Sequence, residues 1–240
     1  MPMLTATRKG ASNTDRVVVY AMTRNIYRQI FVSVNSLLEH TKVDRIYILA
    51  EDDKLPFDLP GPVTVINVSK QPYFGKCGPN YDNHWSYMVL MKAALYDLLR
   101  AEKRVLMLDL DTVIMEDISE LWDHDLTGYY FAAVPEFQTT KDKGYLYCNF
   151  GVVMLNLEKL RDGTGDRIVT ALNTQKYGFP EQDAYNEYCH DHVLTLGGEW
   201  NSCAFCPFTL KVMIKHYAGV GDWINWPDAK RYMEGANVHS

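Results

Sequence analysis

The 240-residue sequence lacks long apolar runs, an excess of positive charge and a glycine-rich phosphate loop. No apolar stretch approaches the roughly 20 residues of a membrane-spanning helix, so we predict no transmembrane segment. Asp and Glu number 30 against 24 Lys and Arg, a net charge of −6 that argues against a nucleic-acid-binding function. The run Asp162-Gly-Thr-Gly165 lacks the lysine and the spacing of a P-loop. A phosphate-bearing ligand would therefore need positive charge placed locally in its site.

Cysteine is sparse and shows no paired spacing. The five cysteines are an odd number spread over the chain, which predicts free thiols in a reducing cytoplasm rather than a disulfide framework. The pair in Cys203-Ala-Phe-Cys206 lacks the second spaced pair of a zinc site, so we interpret these cysteines as buried thiols. The first 15 residues are polar and contain no apolar signal-peptide core, so we expect a polar segment (1–15) followed by one folded domain (16–240).

Strand and helix patterns alternate along the chain. We predict strands over 16–22, 45–50, 63–68, 104–108, 129–134 and 152–157, with weaker strand patterns over 192–196 and 212–217. Helical spacing of apolar residues follows the first strand, is strongest over 85–100, and returns around 158–161, 167–175 and 183–189. This alternation predicts a single α/β domain with a mostly parallel central sheet. The stretches 71–84 and 136–147 are polar, and we predict loops there.

An acidic pair follows one of the buried strands. The four apolar residues of Arg104-Val-Leu-Met-Leu run directly into Asp109-Leu110-Asp111. Side chains alternate along a strand, so Asp109 and Asp111 point the same way at the carboxyl end, where open α/β sheets bind ligands. Two carboxylates on one face repel each other unless a proton or a cation lies between them. A hard divalent cation is the expected occupant, against the alternative of helix caps or a solvated turn.

Two chemistries are compatible with this acidic pair. One is a metal bridging the diphosphate of a nucleotide sugar. The other is phosphoryl transfer by a haloacid-dehalogenase-like enzyme, whose Asp-x-Asp-x-Thr/Val signature Val113 would complete. In that second family the motif usually occupies the first strand, whereas here several strand–helix units precede it.

Five segments, in the same order along the chain, resemble glycosyltransferase family 8, which includes glycogenin and bacterial lipopolysaccharide galactosyl- and glucosyltransferases. They are Val18-Val-Tyr-Ala21-Met-Thr23-Arg-Asn25-Ile-Tyr27, Asp109-Leu-Asp111-Thr-Val-Ile-Met-Glu-Asp117-Ile-Ser-Glu-Leu-Trp122, Asn149-Phe-Gly151-Val-Val-Met-Leu-Asn156-Leu-Glu-Lys-Leu-Arg161, Glu181-Gln182-Asp183-Ala-Tyr-Asn186 and His216-Tyr-Ala-Gly219. The resemblance implies a nucleotide-diphospho-sugar transferase fold of the GT-A type.

The resemblance also implies a metal centre and a donor site. Asp109, Asp111 and His216 would bind Mn²⁺, with Mg²⁺ as a possible substitute, and a mixed oxygen and imidazole set suits Mn²⁺. The nucleotide of a UDP-sugar and its sugar would contact residues of the matched motifs and Lys92, a basic residue on the helix before the acidic pair. The implied donor-contacting residues are Ala21, Thr23, Asn25, Tyr27 (a candidate to stack on the base), Lys92, Asp109, Leu110, Asn149, Gly151 and Gly219.

The sequence departs from the family pattern after His216-Tyr-Ala-Gly219. Asp222 stands where the family has a lysine that contacts the diphosphate, so the resemblance implies greater reliance on the metal and Lys92, or recruitment of Lys211 or Lys215. The chain also ends soon after Trp226, so we expect none of the basic or aromatic membrane anchor found in bacterial relatives.

The implied activity is Mn²⁺-dependent, retaining transfer of a hexose from a UDP-sugar to a hydroxyl of a glycan or another acceptor. Gln182 and Asp183 would lie beside the donor sugar as catalytic residues, with capping of the following helix as the structural alternative for Asp183. A catalytically inactive relative that binds a nucleotide sugar or glycan is the second interpretation, because the C-terminal lysine is missing. A haloacid-dehalogenase-like phosphatase is the third. The sequence identifies neither the donor hexose, the acceptor nor the oligomeric state.

Overall fold

The computed structural model describes residues 15–233. Residues 1–14, and with them nearly all of the predicted polar segment, lie outside the described residues, as do residues 234–240.

Nine strands occur in the described residues. They are β1 (Val17–Ala21), β2 (Arg45–Ala50), β3 (Val63–Asn67), β4 (Arg104–Leu108), β5 (Thr112–Ile114), β6 (Phe131–Pro135), β7 (Cys148–Asn156), β8 (Val193–Thr195) and β9 (Ile214–His216). Seven of them form the central sheet in the order β3-β2-β1-β4-β7-β6-β8, and β5 pairs with β9 in a small separate ribbon. Only the pairings of β7 with β4 and with β6 are antiparallel in the central sheet of the described chain. The predicted mostly parallel α/β fold is confirmed.

Helices cover the sheet and link its strands. They are α1 (Ile30–His40), α2 (Leu95–Leu98), α3 (Phe137–Lys143), α4 (Leu157–Leu160), α5 (Thr164–Thr174), α6 (Pro180–Cys189) and α7 (Pro227–Lys230). Short 3₁₀ helices occur at Arg24–Gln29, Tyr87–Ala94, Ser119–Asp123, His190–His192, Gly198–Trp200 and Trp223–Asn225. The predicted helix over 85–100 is thus helical from Tyr87 to Leu98, but its first turns are 3₁₀ rather than α.

Alternation along β1 divides the core between the two faces of the sheet. Val17 and Val19 pack into the cluster that contains Leu95 of α2, whereas Val18 and Tyr20 pack into the cluster that contains α1. Both faces of this strand are therefore covered, which explains why it reads as a continuous apolar run rather than an alternating one.

The topology brings two chain segments together beyond the carboxyl end of β4. Because β7 runs antiparallel to β4, the beginning of β7 lies beside the end of β4, and the Asp109 amide donates to the Gly151 carbonyl (2.8 Å). The β5–β9 ribbon pairs Thr112 with His216 and so carries the histidine to the same edge. The acidic pair, the start of β7 and His216 therefore meet at one place.

Two predictions about local structure were wrong. The stretch 136–147 was expected to be a loop, but it contains α3, none of whose residues is buried. An exposed helix needs no apolar stripe, so the sequence carries no periodic signal for it. Cys203 and Cys206 are half-buried rather than buried. All five cysteines lie within the described residues and are free thiols.

Candidate active site

A cleft of about 790 Å³ opens at the carboxyl edge of the sheet, where β1, β4 and the start of β7 meet. Most of the predicted site residues line it: Ala21, Thr23, Lys92, Asp109, Leu110, Asp111, Asn149, Gly151, Gln182, His216 and Gly219. Asn25, Tyr27 and Asp183 are not among its lining residues. The structure thus brings residues from distant parts of the chain around one cavity.

Three ligand atoms converge on one side of the cleft. The side chains of Asp109, Asp111 and His216 each offer one atom, and these atoms lie within 4.8 Å of one another. The Nε2 atom of His216 is 3.3 Å from Oδ1 of Asp111 and 3.9 Å from Oδ2 of Asp109. The spacing and the donor set, two carboxylates and one imidazole, fit a divalent cation.

The side-chain amide of Asn201 orients the imidazole ring of His216. Its Nδ1 atom lies 2.9 Å from Oδ1 of Asn201, an oxygen that can only accept, so Nδ1 carries the hydrogen and Nε2 faces the carboxylates. The Asn201 amide in turn donates to Oδ1 of Asn149 (2.9 Å), and Asn149 donates to Oε1 of Glu136 (2.8 Å). Metal-binding histidines typically have such a partner on the second ring nitrogen, which fixes the tautomer and the ring plane.

The charges of His216 and Asp111 depend on each other. Burial alone would lower the pKa of His216, but Asp111, together with Cys203 and Asp109, raises that pKa to about 10. Burial would raise the pKa of Asp111, and the positive imidazolium reverses this and lowers it. A proton on Nε2 therefore occupies the position that a cation would take, and a cation would have to displace it.

Gly151 has no side chain, and the His216 ring occupies the space that a side chain at this position would take. A Cβ atom at position 151 would lie 2.0 Å from Cε1 of His216, far inside the 3.4 Å of an ordinary contact. The glycine of the matched motif is required here by close packing against the histidine, because its backbone conformation is ordinary for a strand.

Lys92 is buried at the base of the cleft with all three of its donors engaged. Only 3% of its side chain is exposed, and Nζ donates to Oδ1 of Asp109 (2.7 Å), to the Phe150 carbonyl (3.2 Å) and to Oε1 of Glu181 (3.2 Å). Burial opposes its charge, but Asp109 and Glu181 raise the pKa of Lys92 above its usual value. Burial raises the pKa of Glu181, and Lys92 counters that rise in part. Lys92 thus fixes the Asp109 carboxylate.

The cleft as a whole is acidic. Lys92 is the one lysine or arginine in its described lining, against the carboxylates of Asp109, Asp111, Glu136, Glu181 and Asp222. The lysines suggested as substitutes lie elsewhere: Lys215 is paired with Asp228 (2.6 Å), and Lys211 is exposed outside the lining. An anionic ligand would be repelled by this lining unless a cation enters with it.

Gln182 is held in the cleft wall by hydrogen bonds at both ends of its amide. Its Oε1 accepts from the Phe150 amide (2.8 Å), and its Nε2 donates to Oε1 of Glu136 (3.1 Å) and to the Tyr147 hydroxyl (3.1 Å). Together with the Asn201–Asn149–Glu136 chain, these bonds connect His216 to α6. Such a fully bonded network keeps its members in one arrangement.

Asp183 is buried and lies outside the cleft lining, and both of its carboxylate oxygens accept hydrogen bonds. Its Oδ2 accepts from the backbone amides of Gly178 (3.1 Å) and Phe179 (2.8 Å), and its Oδ1 accepts from the Tyr147 hydroxyl (2.7 Å). These contacts secure the start of α6, close to the capping alternative weighed from the sequence.

Tyr27 is also buried outside the cleft lining. Its ring is 4% exposed within the core cluster around α1. Its hydroxyl donates to Asp52 and accepts from the Glu51 amide (3.0 Å), while Asn25 bonds to Thr23. These contacts brace the turn that presents Ala21 and Thr23 to the cleft.

Sequence reasoning missed three residues of the site: Glu136, Glu181 in its role as partner of Lys92, and Asn201. Glu136 and Asn201 belong to no local motif, and Glu181 lies in a matched motif that does not indicate its pairing with Lys92. Each acquires its role through contacts with distant parts of the chain. Burial of a carboxylate is unfavourable without partners, so Glu136 and Glu181 would be recognisable only once their surroundings are known.

The sequence profile of glycosyltransferase family 8 matches residues 17–207. Curated relatives include General stress protein A of Bacillus subtilis, 29% identical over 142 residues (51% of this chain and 49% of that protein). Another is the lipopolysaccharide 1,2-glucosyltransferase of Escherichia coli, 26% identical over 180 residues (62% of this chain and 53% of that protein). The matched region thus spans about half the length of these relatives.

Solved structures share the fold. The galactosyltransferase LgtC, crystallised with donor and acceptor sugar analogues, superposes with a TM-score of 0.70 at 19% identity and covers 91% of this chain and 94% of its own. The glycosyltransferase GlyE of Streptococcus pneumoniae gives a TM-score of 0.61 at 21% identity, covering 85% of this chain and 54% of its own. The fold is therefore the GT-A type of glycosyltransferases.

The profile match extends over most of the chain, and the chain belongs to glycosyltransferase family 8. The resemblance inferred from the five sequence segments is confirmed. Among residues 15–233, no helix has the length and apolar character needed to cross a membrane.

Proposed function

We propose that the protein transfers a hexose from a UDP-sugar to a hydroxyl of a glycan or another acceptor, in a reaction that requires a divalent cation, Mn²⁺ or alternatively Mg²⁺. The observation that carries this proposal is the convergence of Asp109, Asp111 and His216 in a cleft at the carboxyl edge of the sheet. Family membership supplies the class of reaction. A cytoplasmic location is part of the proposal.

The residues of the chain fit the proposed cation. Nε2 of His216 faces two carboxylates because Asn201 holds Nδ1, and the close packing of Gly151 fixes the ring. Lys92 holds Asp109 in position by a buried ion pair. When bound, the cation would supply a Lewis acid for the leaving diphosphate and a template that orients it.

The donor would lie along the cleft between two sets of contacts. Ala21 and Thr23 at the end of β1 would receive the uridine, and the metal-binding side would receive the diphosphate. Leu110, Gly151 and Gly219 line the same cleft, and at Gly219, where a Cβ would meet no atom within 4 Å, the donor could approach the backbone closely. Asn149 is engaged with Asn201 and Glu136, so we assign it the role of supporting the donor site through these neighbours.

We propose transfer with retention of the anomeric configuration. Retention requires either a nucleophile on the face opposite the leaving group, or a front-face path in which the leaving diphosphate helps to deprotonate the acceptor. Gln182 lines the cleft and is the residue of the predicted catalytic pair that can contact the sugar. The contacts of Asp183 favour a positioning role, because its carboxylate holds the backbone at Gly178 and Phe179.

A screen of UDP-hexoses tests this proposal. UDP release is measured for each donor with Mn²⁺, with Mg²⁺ and with a chelator, first alone and then with a panel of glycoside acceptors. We expect release that depends on the cation, and an α-linked product in the NMR spectrum from an α-linked donor. A β-linked product would exclude retention, and turnover unaffected by the chelator would exclude the proposed metal centre.

Asp222 favours a second candidate function, that of an inactive relative which binds the nucleotide sugar without turning it over. Asp222 lines the cleft where the family has a lysine, and it adds a negative charge beside the proposed diphosphate position. The same screen separates the two candidates: Mn²⁺-dependent UDP binding without any UDP release from a donor sugar would identify the inactive relative.

A further inference from the structure

Two exposed aromatic side chains in the cleft lining lie against each other. Trp85 is 45% exposed and Phe179 is 54% exposed, and both line the cavity. Their ring centroids are 5.2 Å apart with an angle of 32° between the planes, so they form one continuous apolar surface, here called the aromatic pair. Exposed apolar surface of this kind beside a polar cavity typically marks a ligand-binding position.

The backbone that carries Trp85 is held in one conformation. Oδ1 of Asn83 accepts from the Trp85 amide (2.7 Å), and Nδ2 of Asn83 donates to the carbonyls of Asn80 (2.7 Å) and Ser86 (2.8 Å). Ser86 has a φ of 76°, a left-handed conformation that a non-glycine residue adopts only at a cost. Strained residues held by surrounding contacts tend to cluster at ligand sites.

The backbone that carries Phe179 is held in a comparable way. Oδ2 of Asp183 accepts from the Phe179 amide (2.8 Å), and Oδ1 of Asp183 is fixed by the Tyr147 hydroxyl (2.7 Å). Both exposed rings are therefore presented by loops that side-chain hydrogen bonds secure. A preorganised surface loses little entropy when a ligand covers it, which favours binding.

The surroundings of the aromatic pair match the chemistry of a sugar ring. One face of a pyranose consists of C–H groups and packs on aromatic rings, while its edge carries hydroxyls that need polar partners. The cleft lining contains polar side chains in His84, whose ring centroid lies 5.2 Å from that of Trp85, and in Thr139 and Gln182. An alkyl chain would instead need a continuous apolar groove, and the lining of this cleft is interrupted by charged side chains such as Asp109, Asp111 and Glu136.

We propose that Trp85 and Phe179 form the subsite for a pyranose ring of the acceptor, so that the acceptor is a glycoside. This assignment rests on the proposed function, because the metal-binding side chains would hold the donor diphosphate deeper in the cleft. An acceptor must then approach from the exposed side of the cleft, where the aromatic pair lies. Asp183 is a positioning residue for this subsite, since it acts on Phe179 through the backbone.

Glycoside binding measured directly, without donor turnover, tests the proposal. Methyl α- and β-glucopyranosides and galactopyranosides, maltose and lactose are titrated into the protein and followed by saturation-transfer NMR, in the presence and absence of UDP and Mn²⁺. We expect saturation of ring C–H protons by at least one glycoside. Trp85→Ala and Phe179→Ala should each weaken its binding about tenfold, whereas Trp85→Phe should retain most of it. Mn²⁺–UDP affinity should be unchanged in all three variants.

A matched control and four further outcomes complete the test. Phe208 is 89% exposed but outside the cleft lining, so Phe208→Ala should leave glycoside binding unchanged. The proposal is overturned if no glycoside binds the wild type, or if octyl glycosides bind and the methyl glycosides do not. It is also overturned if Trp85→Ala weakens UDP binding, which would assign the rings to the donor. Glycoside binding that depends on Trp85 in a protein that fails to bind UDP would support the subsite and refute the proposed function.

Discussion

Replacing Gly151 by alanine is expected to disable the proposed metal centre while leaving the fold intact. The added Cβ would lie 2.0 Å from Cε1 of His216, so the ring must retreat by about 1.4 Å to reach an ordinary 3.4 Å contact. Metal–ligand distances tolerate only about ±0.2 Å, so Nε2 can no longer share a cation with Asp109 and Asp111. Disturbing even the partners of a metal ligand weakens binding by about 10- to 100-fold, and we expect at least the upper value, about 2.7 kcal/mol.

The assay is calorimetric titration of Mn²⁺ in the presence of UDP, combined with thermal unfolding of the same variant. Overpacking typically costs about 1–3 kcal/mol, so Gly151→Ala should unfold at a lower temperature but remain cooperative. Gly75→Ala is the matched control, because a Cβ at position 75 meets no atom within 4 Å. Unchanged Mn²⁺ affinity in a folded Gly151→Ala variant would refute the assignment of His216 as a ligand.

Three further predictions concern charge in the cleft. Lys92→Met leaves the buried Glu181 carboxylate without its cation, so the free energy of unfolding measured with urea should fall by about 3–5 kcal/mol. Adding Glu181→Gln should restore part of this loss. Full stability of the single variant would contradict the buried ion pair. Because the pKa of His216 is raised to about 10, Mn²⁺ binding at pH 8 should release about one proton. This release would make the calorimetric binding enthalpy depend on the ionisation enthalpy of the buffer. Equal binding enthalpies in all buffers would argue against displacement of that proton. Asp222→Lys should tighten UDP binding by about 1.5–3 kcal/mol if the new ammonium group reaches the diphosphate, and unchanged affinity would place residue 222 away from it.

The sequence predicts well those features whose signal is local. The apolar runs of β1, β2 and β4 are buried on both faces and read as strands without any further information. The acidic pair is recognisable because it follows such a strand directly. The helix α3 has no buried residue, so no periodic pattern reveals it.

Features that depend on distant contacts required more than local patterns. The family resemblance selected His216, but the pairing of β5 with β9 that carries it to Asp111 has no signature in three-residue strands. The enclosure of Lys92 by two carboxylates is likewise a product of packing between separate elements. Most of the residues predicted from the sequence therefore line one cleft, whereas the separation of cleft-lining residues from residues buried behind them is visible only in three dimensions.

Titration of UDP into the wild-type protein with and without Mn²⁺ tests the central claim most directly. The cleft lining carries five carboxylates against one buried lysine and the His216 imidazolium, so we predict that UDP binds with Mn²⁺ and loses nearly all affinity when a chelator removes the metal. Asp109→Ala and Asp111→Ala should remain folded and lose the Mn²⁺-dependent binding. UDP affinity that is the same with and without Mn²⁺, or unchanged in both variants, would contradict the account.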